Sequence, residues 1–106
     1  MNKIASAPDR ASFKLDLHGA FLRKTDLSRA NLTRANLARA DFTSANFRDA
    51  DFKDAILDGT VLKGADLTGA RNLTSMRLRK AILDETTRLP DDLSLQDIVG
   101  EEAARP

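Results

Sequence analysis

The sequence predicts an all-β solenoid, a chain wound so that one spine of Leu and Phe stays out of water. Three observations carry that prediction. The stretch Ala30 to Phe52 reads ANLTR ANLAR ADFTS ANFRD ADF, a phrase of Ala, then Asn or Asp, then Leu or Phe, then two variable residues. With the large apolar residue taken as the centre, centres fall at Leu17, Leu22, Leu27, Leu32, Leu37, Phe42, Phe47, Phe52, Leu57, Leu62 and Leu67, eleven in one unbroken frame. The neighbouring positions repeat as well. A small residue stands two before the centre in ten of the eleven (Leu15 is the exception), and Asp or Asn stands directly before it in eight.

The third observation is that neither regular element accommodates a period of five. At ~100° per residue a helix turns a net ~140° between centres, which scatters them around its surface and leaves no buried stripe. A straight strand alternates its side chains, so every second centre would face outward. A short extended piece followed by a bend fits. The small residue and the centre then point inward, the Asp or Asn between them points outward, and the two variable residues turn the corner. A chain bending the same way at each repeat must coil, and a solenoid keeps every centre inside.

Taken in order, residues 1–14 read as a leader and cap. Met1 to Arg10 lacks the apolar run of a signal peptide or membrane span. Ala11-Ser12-Phe13 is an out-of-frame first repeat that sets Phe13 over the open end of the stack, where a solenoid exposes its hydrogen-bonding edge. The frame then runs from Leu15 to Gly69, slips by one residue at Ala70, and resumes with Leu73, Leu78 and Leu83 as centres. The repeat domain is therefore expected over residues 15–85 and a C-terminal cap or tail over 86–106. Pro90 cannot donate to a ladder. A short helix is expected over 94–99, with Ser94 as N-cap, Gly100 as stop, and Leu95, Ile98 and Val99 on one face. That helix either caps the last coil or makes a dimer contact.

Tandem A(D/N)LXX phrases over roughly residues 15 to 85 resemble the pentapeptide-repeat family. The resemblance implies a right-handed quadrilateral β-helix with one pentapeptide per side and twenty residues per coil. Stacking at that interval aligns Leu17 with Leu37 and Leu57, Leu22 with Phe42 and Leu62, and Leu27 with Phe47 and Leu67. Leu73 then continues the column of Leu32 and Phe52, Leu78 that of Leu57, and Leu83 that of Leu62. About three and a half coils result, a rod of ~17 Å at ~4.8 Å per coil. The segment LDETTRLP resembles the way family members leave the solenoid.

Little catalytic chemistry is available. The 106 residues contain no Cys and one His, His18, so neither a thiolate site nor a Ser-His-Asp arrangement can be built. No cofactor, metal or catalytic residue is expected. Asp interchanges with Asn at equivalent positions, which points to local hydrogen bonding to the backbone, a task the two share. Gly59, Gly64 and Gly69 fall at the second corner position, where a tight bend favours Gly; without a following Gly-Lys-Ser/Thr they do not make a phosphate loop.

Charge and apolar exceptions say more. The net charge is only +1, but it alternates along the axis: residues 20–39 carry Arg23, Lys24, Arg29, Arg34 and Arg39 against Asp26, residues 40–59 are net acidic, and residues 60–80 are basic again. Either neighbouring coils attract across their corners, at ~0–1 kcal/mol per exposed pair, or those five basic residues form a patch for nucleic acid or an acidic protein. Phe21, Ile56 and Val61 replace Asp or Asn at outward positions. Outward apolar groups mark a covered or interacting surface. The cover is either the chain's own tail (Leu89, Leu93, Leu95, Ile98) or a partner.

These observations predict a non-catalytic structural or protein-binding module that associates with a protein partner or with itself, in the cytoplasm and without a membrane. Some members of the family resembled here protect or inhibit DNA gyrase, so a DNA-mimic modulator of a type II topoisomerase is one alternative. A nucleic-acid binder acting through the basic first coil is another.

Overall fold

The structure, a computed structural model, describes residues 15–98. Its repeating unit is a corner. In each repeat the N–H three residues past a centre donates to that centre's carbonyl, as in Ala35 to Leu32 at 2.9 Å and Ala45 to Phe42 at 2.9 Å. The second corner residue has positive φ in every repeat from Gly19 to Gly69, at 57–74°, while the first does not. That combination is the type II turn. Seven of these eleven corners use a residue other than Gly: Lys24, Arg29, Arg34, Arg39, Ser44, Asp49 and Asp54. A left-handed conformation costs such a residue ~1–2 kcal/mol, and in six of the seven, all but Asp54, the same residue's N–H bonds to the next coil, as Arg39 does to Asp58 at 2.9 Å.

Between corners the sides pair in parallel with residues twenty further on. Side one stacks Asp16, Asn36 and Ile56; side two stacks Phe21, Asp41, Val61 and Ile82; side three stacks Asp26, Asn46, Asp66 and Arg88; side four stacks Asn31, Asp51 and Arg71. Each rung uses a reciprocal pair of bonds, such as Leu37 N–H to Ile56 C=O (3.0 Å) and Ile56 N–H to Ala35 C=O (2.9 Å). A side is only one pair long because a corner interrupts the chain every five residues.

The interior is filled by a spine of Leu and Phe. Leu32, Leu37, Phe42, Phe47, Phe52, Leu57, Leu62, Leu67 and Leu78 are fully buried and Leu73 nearly so, while Leu17, Leu22, Leu27 and Leu83 are half-buried. Phe42 meets Phe47 edge-on, with centroids 5.0 Å apart and planes at 71°, and Phe47 meets Phe52 at 5.2 Å and 56°. Three rings thus fill one coil from three adjoining sides. Thr60 replaces Ala at an inward position and is fully buried; its hydroxyl donates to Leu37 C=O at 2.7 Å, which removes the cost of an unpaired polar group.

The frame breaks later than the sequence suggests. Ala70 still donates to Leu67, and Arg71 still pairs with Asp51. The extra residue is Asn72, at φ 64°, whose amide makes a poor core filler; the insertion brings Leu73 inward instead. A single-turn helix, α1 (Ser75–Leu78), follows, with the Thr74 hydroxyl accepting from Arg77 N–H. The ladder also continues past Glu85. Val61 pairs with Ile82, and after a second one-residue insertion Asp66 pairs with Arg88. There Thr87 takes the inward small position and donates to Leu62 C=O at 2.8 Å, as Thr60 does to Leu37 C=O. Residues 95–98 are helical, with Asp97 N–H donating to Ser94 Oγ, and Ile98 is buried in the core cluster. Arg79 ties this helical turn down by donating to Ile98 C=O at 2.7 Å. Phe13, Val99 and Gly100 lie outside the described residues.

Candidate interaction surface

The outward column positions define the surface chemistry. Where Asp or Asn occupies them, the side-chain Oδ1 accepts the backbone N–H two residues on: Asp16 from His18, Asp26 from Ser28, Asn31 from Thr33, Asn36 from Ala38, Asp41 from Thr43, Asn46 from Arg48, Asp51 from Lys53 and Asp66 from Thr68, all at 3.0–3.1 Å. The local backbone role inferred from the Asp/Asn interchange is the one seen. Several first-corner hydroxyls add a second bond, such as Thr43 Oγ1 to Asp41 Oδ1 at 2.6 Å. The acidity follows. The Thr43 hydroxyl first, then Arg23, hold the Asp41 carboxyl down at about 2. Ser28 lowers Asp26, the Asn72 amide lowers Asp51, and Thr86 lowers Asp84. Carboxylates tied up in this way are poor general bases. Among the described residues no group of three or more His, Cys, Asp or Glu could hold a metal ion.

The three apolar exceptions separate onto two sides. Ile56 belongs to side one and is 37 % exposed. Phe21 and Val61 share side two with Asp41 between them, and Phe21 is 76 % exposed. Leu89, Leu93 and Ile98 pack against the core cluster at the C-terminal end and leave Phe21 open. Sequence reasoning missed a fourth member, Ile82, which continues side two and is 43 % exposed. The signal lay in Ala81-Ile82-Leu83, a repeat with Ile in the Asp/Asn place, hidden because it falls beyond the frame slip.

The five basic residues do not gather on one face. They sit at four successive corners: Arg23 and Lys24 after side two, Arg29 after side three, Arg34 after side four and Arg39 after side one of the next coil. A fivefold spacing on a four-sided coil spreads them into a ring. Arg23 is engaged further: its Nε donates to Asp41 Oδ2 at 3.0 Å, and its guanidinium carbon lies 5.4 Å from the centroid of the Phe21 ring. Arg48 likewise reaches Asp66 at 3.4 Å. Both pairs join one coil to the next; Arg23–Asp41 follows the charge alternation between coils, whereas Arg48–Asp66 runs against it.

Arg77 was also unforeseen. Where α1 replaces the expected rung, its Nη1 donates to Phe52 C=O at 2.7 Å and its Nη2 to Asn72 C=O at 2.9 Å. A side chain thus supplies donors that the helical backbone no longer offers.

A parallel coil of short sides, closed by type II turns and filled with Leu, Phe and Ala, is a β-helix of the repeat-solenoid class. The family model for pentapeptide repeats matches residues 15–49 and 45–84, with eight copies. The chain belongs to the pentapeptide-repeat family. It is similar to the crystal structure of the pentapeptide repeat protein Rfr23 from the cyanobacterium Cyanothece 51142, at 34 % identity and TM-score 0.66, over 73 % of this chain and 52 % of that one. It is also similar to a pentapeptide repeat protein of the Arabidopsis thaliana thylakoid lumen, at 32 % identity and TM-score 0.54, over 72 % and 55 % of the two chains. These neighbours make the fold a right-handed β-helix, and the chain spans about half the length of each. No curated protein matches the sequence. Among the described residues no helix is long and apolar enough to cross a membrane.

Proposed function

We propose that the chain is a non-catalytic protein-binding module, a β-helix of about three and a half coils capped at its C-terminal end by the helical turn at residues 95–98. The observation that carries this reading is the contrast between a filled interior and an apolar exterior column. The centres from Leu32 to Leu67 are buried in the interior, the outward carboxylates of Asp26, Asp41 and Asp66 hold backbone N–H groups, and Phe21 stands exposed on side two. Aromatic residues, Phe among them, and Arg are enriched at protein–protein interfaces.

The two alternatives have less support. Topoisomerase mimicry needs a continuous acidic face, whereas side two carries apolar residues and side three ends in Arg88. A duplex touching one corner would meet only one or two of the five ringed cations. Affinity capture with immobilised chain and a Phe21→Asp control tests the module reading. A stoichiometric partner retained by the native chain and lost by the variant is expected. Capture of the same species by both, or of none, would count against it.

A further inference from the structure

The two ends of the coil differ. In each rung the outward column residue turns both its N–H and its C=O toward the coil before it. Asp41 does so with Ala20 C=O at 2.8 Å and Leu22 N–H at 2.7 Å, and Asn46 with Thr25 C=O at 2.9 Å and Leu27 N–H at 2.7 Å. Phe21, Asp26 and Asn31 are the column residues of the first coil, and their backbone N–H and C=O groups make no hydrogen bond among the described residues. Behind them Leu17, Leu22 and Leu27 are half-buried, whereas Leu37, Phe42 and Phe47 one coil on are fully buried. The C-terminal end is closed: Ile98 is buried and its C=O accepts from Arg79.

We infer that the N-terminal end is a pairing surface for a second copy of this chain, joined end to end across a twofold axis. This goes beyond the protein-binding reading, because it uses the backbone of the first coil rather than the Phe21 ring. The hydrogen-bond pattern names the occupant. A residue that offers N–H and C=O in one direction is half of an antiparallel hydrogen-bonded pair, in which two residues exchange both bonds. A straight peptide meets only one side before a corner turns the edge away from it. An edge that turns four corners is matched by another of the same shape, and the second copy's open end is one. Residues 1–14 are too few for a coil of twenty. Carried back in frame, they place Ser12 and Ala7 where Leu or Phe stands in the later repeats.

Facing chains run antiparallel about such an axis. The register that sets Phe21 against Asp26 of the second copy also brings Asn31 to side one, so all four sides engage together. The Phe21–Asp26 pairs, two by symmetry, carry the contact. No Asp faces an Asp, and like charges directly opposite would disfavour the ladder. The axis passes the corner between sides two and three, which carries Arg23 and Lys24. Arg23 leans away to Asp41 of the next coil at 3.0 Å, which leaves Lys24 beside its own copy. Salt screens that repulsion and strengthens the dimer. The chain is 25 by 24 Å across its two shorter axes, less than the ~800 Å² per partner of a standard interface, so pairing is weak and set by concentration.

Sedimentation of the full chain over a range of concentrations, with amide exchange read residue by residue, tests this. Twice the monomer mass at high concentration is expected, with the Phe21 and Asp26 amides gaining protection in step and both effects growing with added salt. Phe21→Pro removes a donor that no described residue uses and should weaken pairing at least tenfold. Phe21→Ala keeps the donor and pairs as the native chain does. Circular dichroism checks that both fold, and the exchange readout on the native chain depends on neither. Protection of Phe21 and Asp26 that is equal at every concentration shows residues 1–14 covering the end and overturns the pairing. A dimer that survives Phe21→Pro, that Phe21→Ala abolishes, or that leaves those amides unprotected forms through another face and equally overturns it. A chain that stays monomeric throughout does so too, while capture of a partner by the native chain would still stand.

Discussion

Phe47 is the most informative residue to remove. It is fully buried and touches Phe42 at 5.0 Å and Phe52 at 5.2 Å, so it is the middle ring of three. Truncating a buried Phe to Ala costs ~3–5 kcal/mol through lost transfer energy and the cavity left behind. The rung bond from Phe47 N–H to Asp66 C=O at 2.8 Å and the corner bond from Ala50 N–H to Phe47 C=O at 3.1 Å prevent the coil from collapsing into that cavity. The upper half of the range is therefore expected for Phe47→Ala, against a total stability of ~5–15 kcal/mol for a domain of this size. At ~4–8 °C per kcal/mol, the melting temperature should fall by well over 15 °C. Phe47→Leu keeps most of the volume but loses both ring contacts, worth ~0.5–1.5 kcal/mol each. A cycle pairing Phe42→Leu with Phe47→Leu should then return a coupling of ~1 kcal/mol. Urea melts followed by circular dichroism measure all of these. Phe21→Ala, the same truncation at an exposed ring, should stay within ~0.5 kcal/mol. If Phe47→Ala and Phe21→Ala shift the midpoint equally, or the cycle returns zero, the reasoning about a packed interior fails.

Gly69→Ala should be more destabilising than Gly19→Ala. Both have positive φ, at 74° and 70°, but a Cβ on Gly69 collides with the Asp49 carboxylate, while one on Gly19 meets nothing. The conformational cost of ~1–2 kcal/mol is common to both, and Asp49→Ala should rescue only the first, as read from paired melts. Arg77→Met, which removes a charged donor to Phe52 C=O, should cost ~1.5–3 kcal/mol and raise amide exchange around residues 52–55. Stability should also depend on pH in the acid range. The folded Asp41 carboxyl is held down at about 2 against an ordinary 3.8, so its contribution is complete above ~4 and is lost as pH falls through ~2. Asp41→Asn keeps the acceptor for Thr43 N–H but should flatten the slope of melting temperature between those limits. A slope unchanged in that variant would refute the assignment.

The coil was legible because its code is local. Every centre from Leu17 to Leu67 is set by a five-residue phrase, and the Asp/Asn column announced its backbone role by interchange alone. The C-terminal end was harder. Asn72, α1 and the loop at Asp84–Thr87 each add irregularity that depends on what lies one coil above, twenty or more residues away in sequence. The frame slip also concealed Ile82 from a count of broken Asp/Asn positions. Left-handed φ at Lys24 to Asp54 was equally unreadable, since Gly marks that conformation only at Gly19, Gly59, Gly64 and Gly69. The basic residues showed their number but not their dispersal, because a list of cations carries no angle around an axis.

Four sides to a coil impose an arithmetic on how such a chain can lengthen or shorten. Duplicating twenty residues inserts a whole storey and leaves every later residue facing as before. Duplicating a single phrase instead rotates everything downstream by a quarter turn. Val61 and Ile82 would then swing away from Phe21, and that apolar column would be cut in two although each repeat remained well formed.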